Sequence, residues 1–131
     1  MLSSIQIPRE TINTSIGDFA VRGLTFTDLS RLLIDHREDL TAAADIVAEA
    51  GDDLAAIAQA VAVRLPKLAA GAVACAADEP DFAGTVAMLP ITVQLDALIA
   101  IGRMTFTDEG ALPKFLANLQ MLTKGLASLK K

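Results

Sequence analysis

The spacing of apolar residues changes along the chain from strand-like to helical. Near the start, Thr11–Ile16 and Phe19–Arg22 are β-prone segments separated by Gly17 and Asp18. Because Gly accepts the positive φ that a two-residue hairpin turn requires, this pattern predicts an N-terminal β-hairpin at about residues 10–23. An isolated hairpin is marginally stable in water, so we expect it to pack on the helices or to pair with a neighbouring chain.

Apolar residues after the hairpin recur at the i, i+3, i+4, i+7 spacing of an amphipathic helix. The first stripe predicts one helix with Thr27 as its N-cap and Gly51 at its end. Its apolar positions are Leu29, Leu32, Leu33, His36, Leu40, Ala43 and Val47. Asp52 is the predicted cap of a second helix. The buried face of that helix consists of Leu54, Ile57, Ala58, Val61 and Leu65.

Prolines indicate where further helices begin. The first residue of a helix does not need its N–H, so Pro is favoured there, and Pro66, Pro80 and Pro90 each predict a helix start. The Pro66 helix is expected to run to about Ala77. A last helix is predicted from about Leu112 to Leu129.

The predicted fold class is mainly α. We expect a β-hairpin region over residues 1–23 and a bundle of five or six helices over residues 24–131. A chain of 131 residues fits one domain and buries roughly two thirds of its unfolded surface. Since no linker is long enough to divide it, we expect residues 1–131 to form a single domain.

The last helix has the most regular apolar pattern in the chain. Successive apolar residues are 3, 4, 3, 4 and 3 positions apart, which is the a/d repeat of a coiled coil. The residues with this spacing are Leu112, Phe115, Leu119, Leu122, Leu126 and Leu129. This pattern indicates a seam offered to another chain, although over about two and a half heptads an ordinary core-facing helix has the same pattern. Leu116 and Met121 widen the apolar surface. The candidate partner-binding residues are Leu112, Phe115, Leu116, Leu119, Leu122, Leu126 and Leu129.

A short sequence echo links two distant segments. Leu24–Asp28 and Met104–Asp108 share the four residues T-F-T-D, and Arg22 and Arg103 lie close to them. Thr and Asp are common at helix starts because their side chains cap the free N–H groups. We therefore interpret the echo as a coincidence rather than as a duplication.

The composition provides many apolar side chains and few reactive ones. Hydrophobic residues make up 53% of the chain, which has one Cys, one His, no Trp and no Tyr. We expect His36 to be a packed, hydrogen-bonded histidine and Cys75 a buried thiol. The chain has neither a His cluster for a metal nor a Gly-rich phosphate loop, and five Phe make no stacking platform. We predict no catalytic, cofactor-binding or metal site.

Charge and hydropathy exclude two classes of partner. The net charge of −5 argues against nucleic acid, whose binding needs clustered cations. The longest uncharged stretch, Phe82–Leu95, has 14 residues, whereas a membrane-spanning helix needs about 20. The N-terminus does not resemble a signal peptide. These features predict a cytoplasmic protein that contacts neither nucleic acid nor membrane.

The distribution of charge and apolar residues suits self-association. Acidic residues crowd residues 38–53, whereas residues 112–131 carry four Lys and no acid. Such opposed patches favour docking inside an oligomer, or they are simply solvated helix faces. Leu54–Val63 and Leu68–Ala77 are apolar nearly all round, so each is buried on several sides or exposes a patch that a partner covers.

Two segments resemble a known family. Phe19–Leu29 (FAVRGLTFTDL), followed by a Leu-rich helix, resembles the start of small proteins encoded just before the tape measure protein of long-tailed phages and prophages. Leu89–Phe106 (LPITVQLDALIAIGRMTF) and Leu112–Leu116 resemble later parts of the same proteins. They are called tail assembly chaperones, or pre-tape measure proteins. The resemblance covers most of the chain from about residue 10.

The resemblance implies a function and a partner. The protein would bind the long, helical, apolar tape measure protein and keep it soluble in the bacterial host cell until tube subunits polymerise. It would form homo-oligomers and be absent from the mature virion. Acidity, helix content, spare apolar surface and the absence of an active-site pattern agree with such a role. The chief alternative is a small helical adaptor or regulatory protein that binds a host factor, and an enzyme ranks third.

Overall fold

The computed structural model describes residues 1–51, 53–107, 111, 114–115 and 117–121. It confirms a mainly α fold with an N-terminal β-hairpin. The elements are β1 (Arg9–Ile12), β2 (Phe19–Arg22), α1 (Phe26–Asp35), α2 (Arg37–Ala50), α3 (Leu54–Arg64), α4 (Pro66–Ala76), α5 (Ala83–Ala87) and α6 (Ile91–Thr105). Short 3-10 helices cover Leu2–Ser4 and Pro80–Phe82. Residues 117–121, in the region of the predicted last helix, are helical.

The hairpin lies where the sequence predicts it, but its loop is longer. The strands are antiparallel, and Ile12 pairs with Phe19, so six residues connect them instead of the predicted Gly17-Asp18 pair. Side chains organise this loop. The Thr14 N–H donates to the Asp18 carboxylate, and the Thr14 hydroxyl donates to the Gly17 carbonyl. Such local bonds compete with continued strand pairing, which explains why the strands end early.

The first long helix of the prediction is in fact two helices. The chain breaks at His36, whose φ of −138° and ψ of 42° end α1 and begin α2. Leu32 in α1 and Leu40 in α2 nevertheless belong to the same core cluster. The apolar stripe therefore continues across the break, which is why periodicity alone predicted a single helix. Thr25 rather than Thr27 is the N-cap, in a capping box with Asp28.

The other helix starts follow the predicted signals closely. Pro66 opens α4, Pro80 begins the 3-10 turn that leads into α5, and Pro90 is the residue before α6. Asp53 caps α3, since its carboxylate accepts a hydrogen bond from the Ala56 N–H at 3.1 Å. The predicted cap, Asp52, lies outside the described residues.

Helix α4 is the centre of the fold. Every residue from Leu68 to Ala76 is buried, as an all-round apolar helix requires. The helix packs against α1, α3, α5, α6 and β2. Its small residues allow this close approach: at Gly71 a Cβ would lie 3.1 Å from Leu32 and 3.2 Å from His36. Helix α3, equally apolar in sequence, buries only Ala58 fully.

Two apolar clusters lie around α4. One joins α1, α2 and α4 to Leu119. The other joins the hairpin residues Ile12 and Val21 to α4, α5 and α6. The hairpin is therefore packed on the helices, as expected for a sheet of two strands that cannot be stable alone.

Candidate interaction surfaces

A cluster of ion pairs fastens the hairpin to two helices. Arg22, at the end of β2, places one guanidinium nitrogen 2.6 Å from the Asp28 carboxylate and another 2.7 Å from the Asp78 carboxylate. It also donates to the Cys75 carbonyl at the end of α4. Arg9, on the neighbouring strand, pairs with the other Asp78 oxygen at 2.8 Å. One arginine thereby joins the start of α1 to the end of α4.

The charges of this cluster support one another. Hydrogen bonds to Asp28 and then to Asp78 raise the pKa of Arg22 above its ordinary value. Burial acts to raise the pKa of Asp28, but the hydrogen bonds from Arg22 and the Thr25 N–H outweigh it and lower the pKa overall. Hydrogen bonds from Arg22 and Arg9 lower the pKa of Asp78. The carboxylates are therefore held ionised, which suits a structural clamp and not an acid catalyst.

A second set of contacts holds the other side of the hairpin. Arg103 on α6 donates to both oxygens of the Glu10 carboxylate, at 3.0 and 3.2 Å. The Leu24 N–H donates to the Thr105 hydroxyl at 2.9 Å. The hairpin and the junction between β2 and α1 are thus tied to the last turn of α6.

The described part of the last helix contacts the core. Leu119 is 1% exposed and lies in the same cluster as Leu32 and Leu40. Phe115 packs against that cluster, and its ring meets Phe106 edge to face with centroids 5.1 Å apart. Met121 is 68% exposed. Two of the candidate partner-binding residues therefore pack on their own subunit, while the helix also presents an apolar side chain to solvent.

The remaining candidate residues of this helix lie outside the described part of the chain. They are Leu112, Leu116, Leu122, Leu126 and Leu129.

An apolar cavity of about 130 Å³ lies beneath the last helix. Side chains of α1, α2, α3, α4 and α6 line it, together with Phe115 and Leu119. The last helix therefore covers an apolar space that its described side chains leave partly unfilled.

Several large apolar side chains lie on the surface of the described chain. Phe26 and Ile34 project from α1, eight residues apart and so on one face of that helix. Ile5 and Ile7 precede β1. The others that are more than half exposed are Met1, Leu2, Ile16, Val63, Phe82, Met88, Ile91 and Met121. Single exposed hydrophobic residues are ordinary, and these are the large apolar side chains of the described chain that a partner could contact.

The single cysteine and the single histidine of the chain are both at least partly buried. Cys75 is buried, as predicted, and burial raises the pKa of its thiol. His36 is half-buried at the α1–α2 break, against Gly71. Its ring makes no hydrogen bond within the described residues, contrary to the expected hydrogen-bonded histidine. Within the described residues the Cys75 thiol makes no hydrogen bond either, since Arg22 donates to the Cys75 carbonyl, so neither side chain is paired with a base as nucleophilic chemistry requires.

The described residues provide neither a cluster of metal ligands nor a single helix that could span a membrane. Their His, Cys, Asp and Glu side chains form no group of three or more that could hold a metal ion. None of their helices is by itself long and apolar enough to cross a membrane, and α3 with α4 reaches that length only as a pair bent by 118°.

Comparison with known proteins gives one family. A sequence model described as "Pre-tape measure protein" matches residues 1–131. No curated protein and no solved structure matches the chain significantly.

Proposed function

This chain belongs to the pre-tape measure protein family, and from that premise we propose that it is a tail assembly chaperone of a phage or prophage. Membership gives it a role related to phage tails. In our proposal it binds the helical tape measure protein and keeps it soluble until the tail tube polymerises. The family match over the whole chain is the observation that carries this proposal.

The surface of the described chain supports such a role. A tape measure protein presents a long apolar helix, which needs apolar contact area on its holder. Phe26 and Ile34 offer such area on one face of α1, and Met121 offers it on the last helix. The acids of the Arg22 cluster are engaged in ion pairs, which suits a structural role in a protein that holds a partner.

The last helix is the proposed centre of partner binding. Phe115 and Leu119 anchor it to the core, over a cavity that the described side chains do not fill. The residues outside the described part continue the same a/d spacing in sequence. This stripe also contains Phe115 and Leu119, which pack on the core, so we propose that the subunit core and a partner share it, with Leu122, Leu126 and Leu129 in contact with the partner.

The proposal includes self-association and a place of action. A holder that covers a very long partner must be present in many copies along it, which self-association of the chain would achieve. The protein would act in the cytoplasm of the bacterial host and leave before the virion matures.

Co-expression tests the proposal. The tape measure protein encoded beside this chain is produced in bacteria with the chain, without it, and with an unrelated acidic helical protein. We expect the tape measure protein in the supernatant only with this chain, because only this chain covers its apolar stripe. Equal amounts in the supernatant under all three conditions would overturn the proposed function.

A further inference from the structure

The sheet of two strands leaves one edge of β1 open. Strand β1 pairs with β2 on one side, and in the described chain no backbone hydrogen bond reaches its other side. An open edge presents unpaired N–H and C=O groups, which a further strand can satisfy. Of its charged side chains, Arg9 is drawn to Asp78, whereas Glu10 pairs with Arg103 on the neighbouring helix α6.

A groove of about 350 Å³ runs along this edge, beside α6. Residues 10–13 form its strand side, and Asp96, Ile99 and Arg103 form its helix side. Consecutive strand residues point to opposite faces of a sheet. Because four consecutive residues line the groove, it follows the edge of the strand and not one of its faces. A groove between a strand edge and a helix is a geometry in which proteins bind an extended peptide as an added strand.

A segment with extended backbone lies immediately before β1. Ile5 and Ile7 are 58% and 59% exposed, and their spacing of two places them on one face of an extended chain. Ile5 has extended backbone angles, φ −76° and ψ 127°. Within the described residues Gln6 and Ile7 form no backbone hydrogen bond. The Ile5 N–H donates to the Leu2 carbonyl, so Gln6 and Ile7 provide the free backbone groups, and Ile5 and Ile7 the β-branched side chains, that an added strand supplies.

This segment cannot reach the edge of its own β1. Antiparallel neighbours need a turn of at least two residues, and parallel neighbours need a crossover of about a dozen. Only Pro8 separates Ile7 from Arg9, the first residue of the strand. Residues 5–7 can therefore occupy this groove only when they come from another molecule.

We propose that residues 5–7 of one copy add to the β1 edge of a second copy, in the groove beside α6. The inference rests on the self-association proposed above and is independent of the tape measure protein. Donor segment and acceptor groove are different surfaces, so the contact is head-to-tail. Such contacts close into rings or extend as filaments.

Cysteine cross-linking tests this contact in the full chain. Gln6 and Thr11 are exposed, and in the register that pairs residues 5–7 with residues 10–12 they lie opposite each other in either strand direction. Gln6→Cys is mixed with Thr11→Cys that carries a mass tag, and the mixture is oxidised. The control mixture replaces Thr11→Cys by Gln59→Cys, an exposed site on α3. Buried Cys75 is left in place.

We expect the mixed Gln6–Thr11 disulfide to exceed the control disulfide at least tenfold. The double variant, with cysteines at both positions, should form a ladder of covalent multimers. Equal yields in the two mixtures would overturn the inference. The inference would also be overturned if the native chain sediments as oligomers but the double variant forms no ladder of covalent multimers. In that case self-association would remain, through another surface. A native chain that sediments as a monomer would overturn both this contact and the proposed self-association.

A second pair of variants keeps the test independent of disulfide geometry. Ile5→Lys with Ile7→Lys should reduce the sedimentation coefficient to that of a single subunit. Ile16→Lys, at a residue that is 75% exposed in the hairpin loop, should leave it unchanged. Equal sedimentation of the two variants would contradict the donor role of residues 5–7.

Discussion

The backbone of Gly23 lies directly against the carbonyl of Met104: a Cβ at Gly23 would be 2.8 Å from that oxygen. The next residue, Leu24, donates its N–H to the Thr105 hydroxyl, which itself donates to the Ile101 carbonyl at 2.7 Å. The junction between β2 and α1 is thus packed against the last turn of α6. The two copies of the T-F-T-D echo begin side by side at this contact.

Replacing Gly23 by Ala should destabilise the protein. The Cβ would meet backbone atoms of Met104 and Thr105, which cannot move as a side-chain end can. We expect a loss of about 2 kcal/mol in the free energy of unfolding. Gly84→Ala is the matched control, because a Cβ there meets nothing within 4 Å and the residue lies in α5. That variant should gain about 0.5 kcal/mol. Urea unfolding measures both, and equal effects would contradict the close contact.

Removal of Arg22 should cost far more than removal of Arg9. Arg22→Ala leaves the buried Asp28 carboxylate without its charge partner, at an expected cost of about 3 kcal/mol. Arg9→Ala breaks a pair in which both side chains are 47% exposed, so about 0.5 kcal/mol is expected. Thermal unfolding followed by circular dichroism compares them. Similar losses for the two variants would show that Arg22 does not fasten the hairpin.

Acid should weaken the Arg22 cluster. Asp28 and Asp78 have lower pKa values in the folded protein than in the unfolded chain. Their contribution to the free energy of unfolding is therefore fully present above the unfolded pKa of about 3.9, and it is lost as the pH falls through the folded pKa values. Asp78→Asn removes one of these carboxylates. The stability difference between the native chain and this variant should therefore be constant from about pH 7 to 5 and shrink below about pH 4. Urea titrations at each pH measure it. A difference that does not change with pH would contradict the assigned ion pairs.

Aspartate substitutions along the last helix should separate core from partner contacts. We expect Leu122→Asp to leave the subunit folded and to abolish tape measure or self binding, because we place Leu122 on the partner side. Leu119→Asp is the unfolded reference, since a buried unpaired carboxylate costs several kcal/mol. Met121→Asp is the folded reference.

Two readouts decide the outcome for Leu122→Asp. Circular dichroism melting reports the fold, and co-purification with a tape measure fragment reports binding. A variant that melts like Leu119→Asp would place Leu122 in the core. A folded variant that still binds would remove the last helix from the interface.

Local chemistry explains which parts of the fold were predictable. Helix starts depend on one or two neighbouring residues, so Pro66 and Pro90 indicate them well. The break at His36 depends instead on the packing of α1 and α2 around α4, and the apolar stripe runs through it unchanged. The hairpin was recognisable from its β-prone segments, whereas its loop length depends on hydrogen bonds of the Thr14 side chain.

The interaction surfaces were harder to predict from the sequence than the fold. Arg22 and Asp78 are 56 residues apart, and no periodic pattern relates them, so their ion pair required the three-dimensional arrangement. The groove beside β1 depends in the same way on the placement of α6 against the strand. The heptad spacing did indicate the last helix, but spacing cannot show that Leu119 faces the core of its own subunit.

The most direct measurement of the central claim is calorimetric titration of the purified chain into a helical fragment of its tape measure protein, at several temperatures and salt concentrations. Burial of apolar surface gives a negative heat-capacity change, whereas contacts between charges weaken with salt. The account predicts saturable binding with a clearly negative heat-capacity change and little dependence on salt. The absence of saturable binding would contradict the account. So would binding that has no heat-capacity change and is lost at high salt concentration.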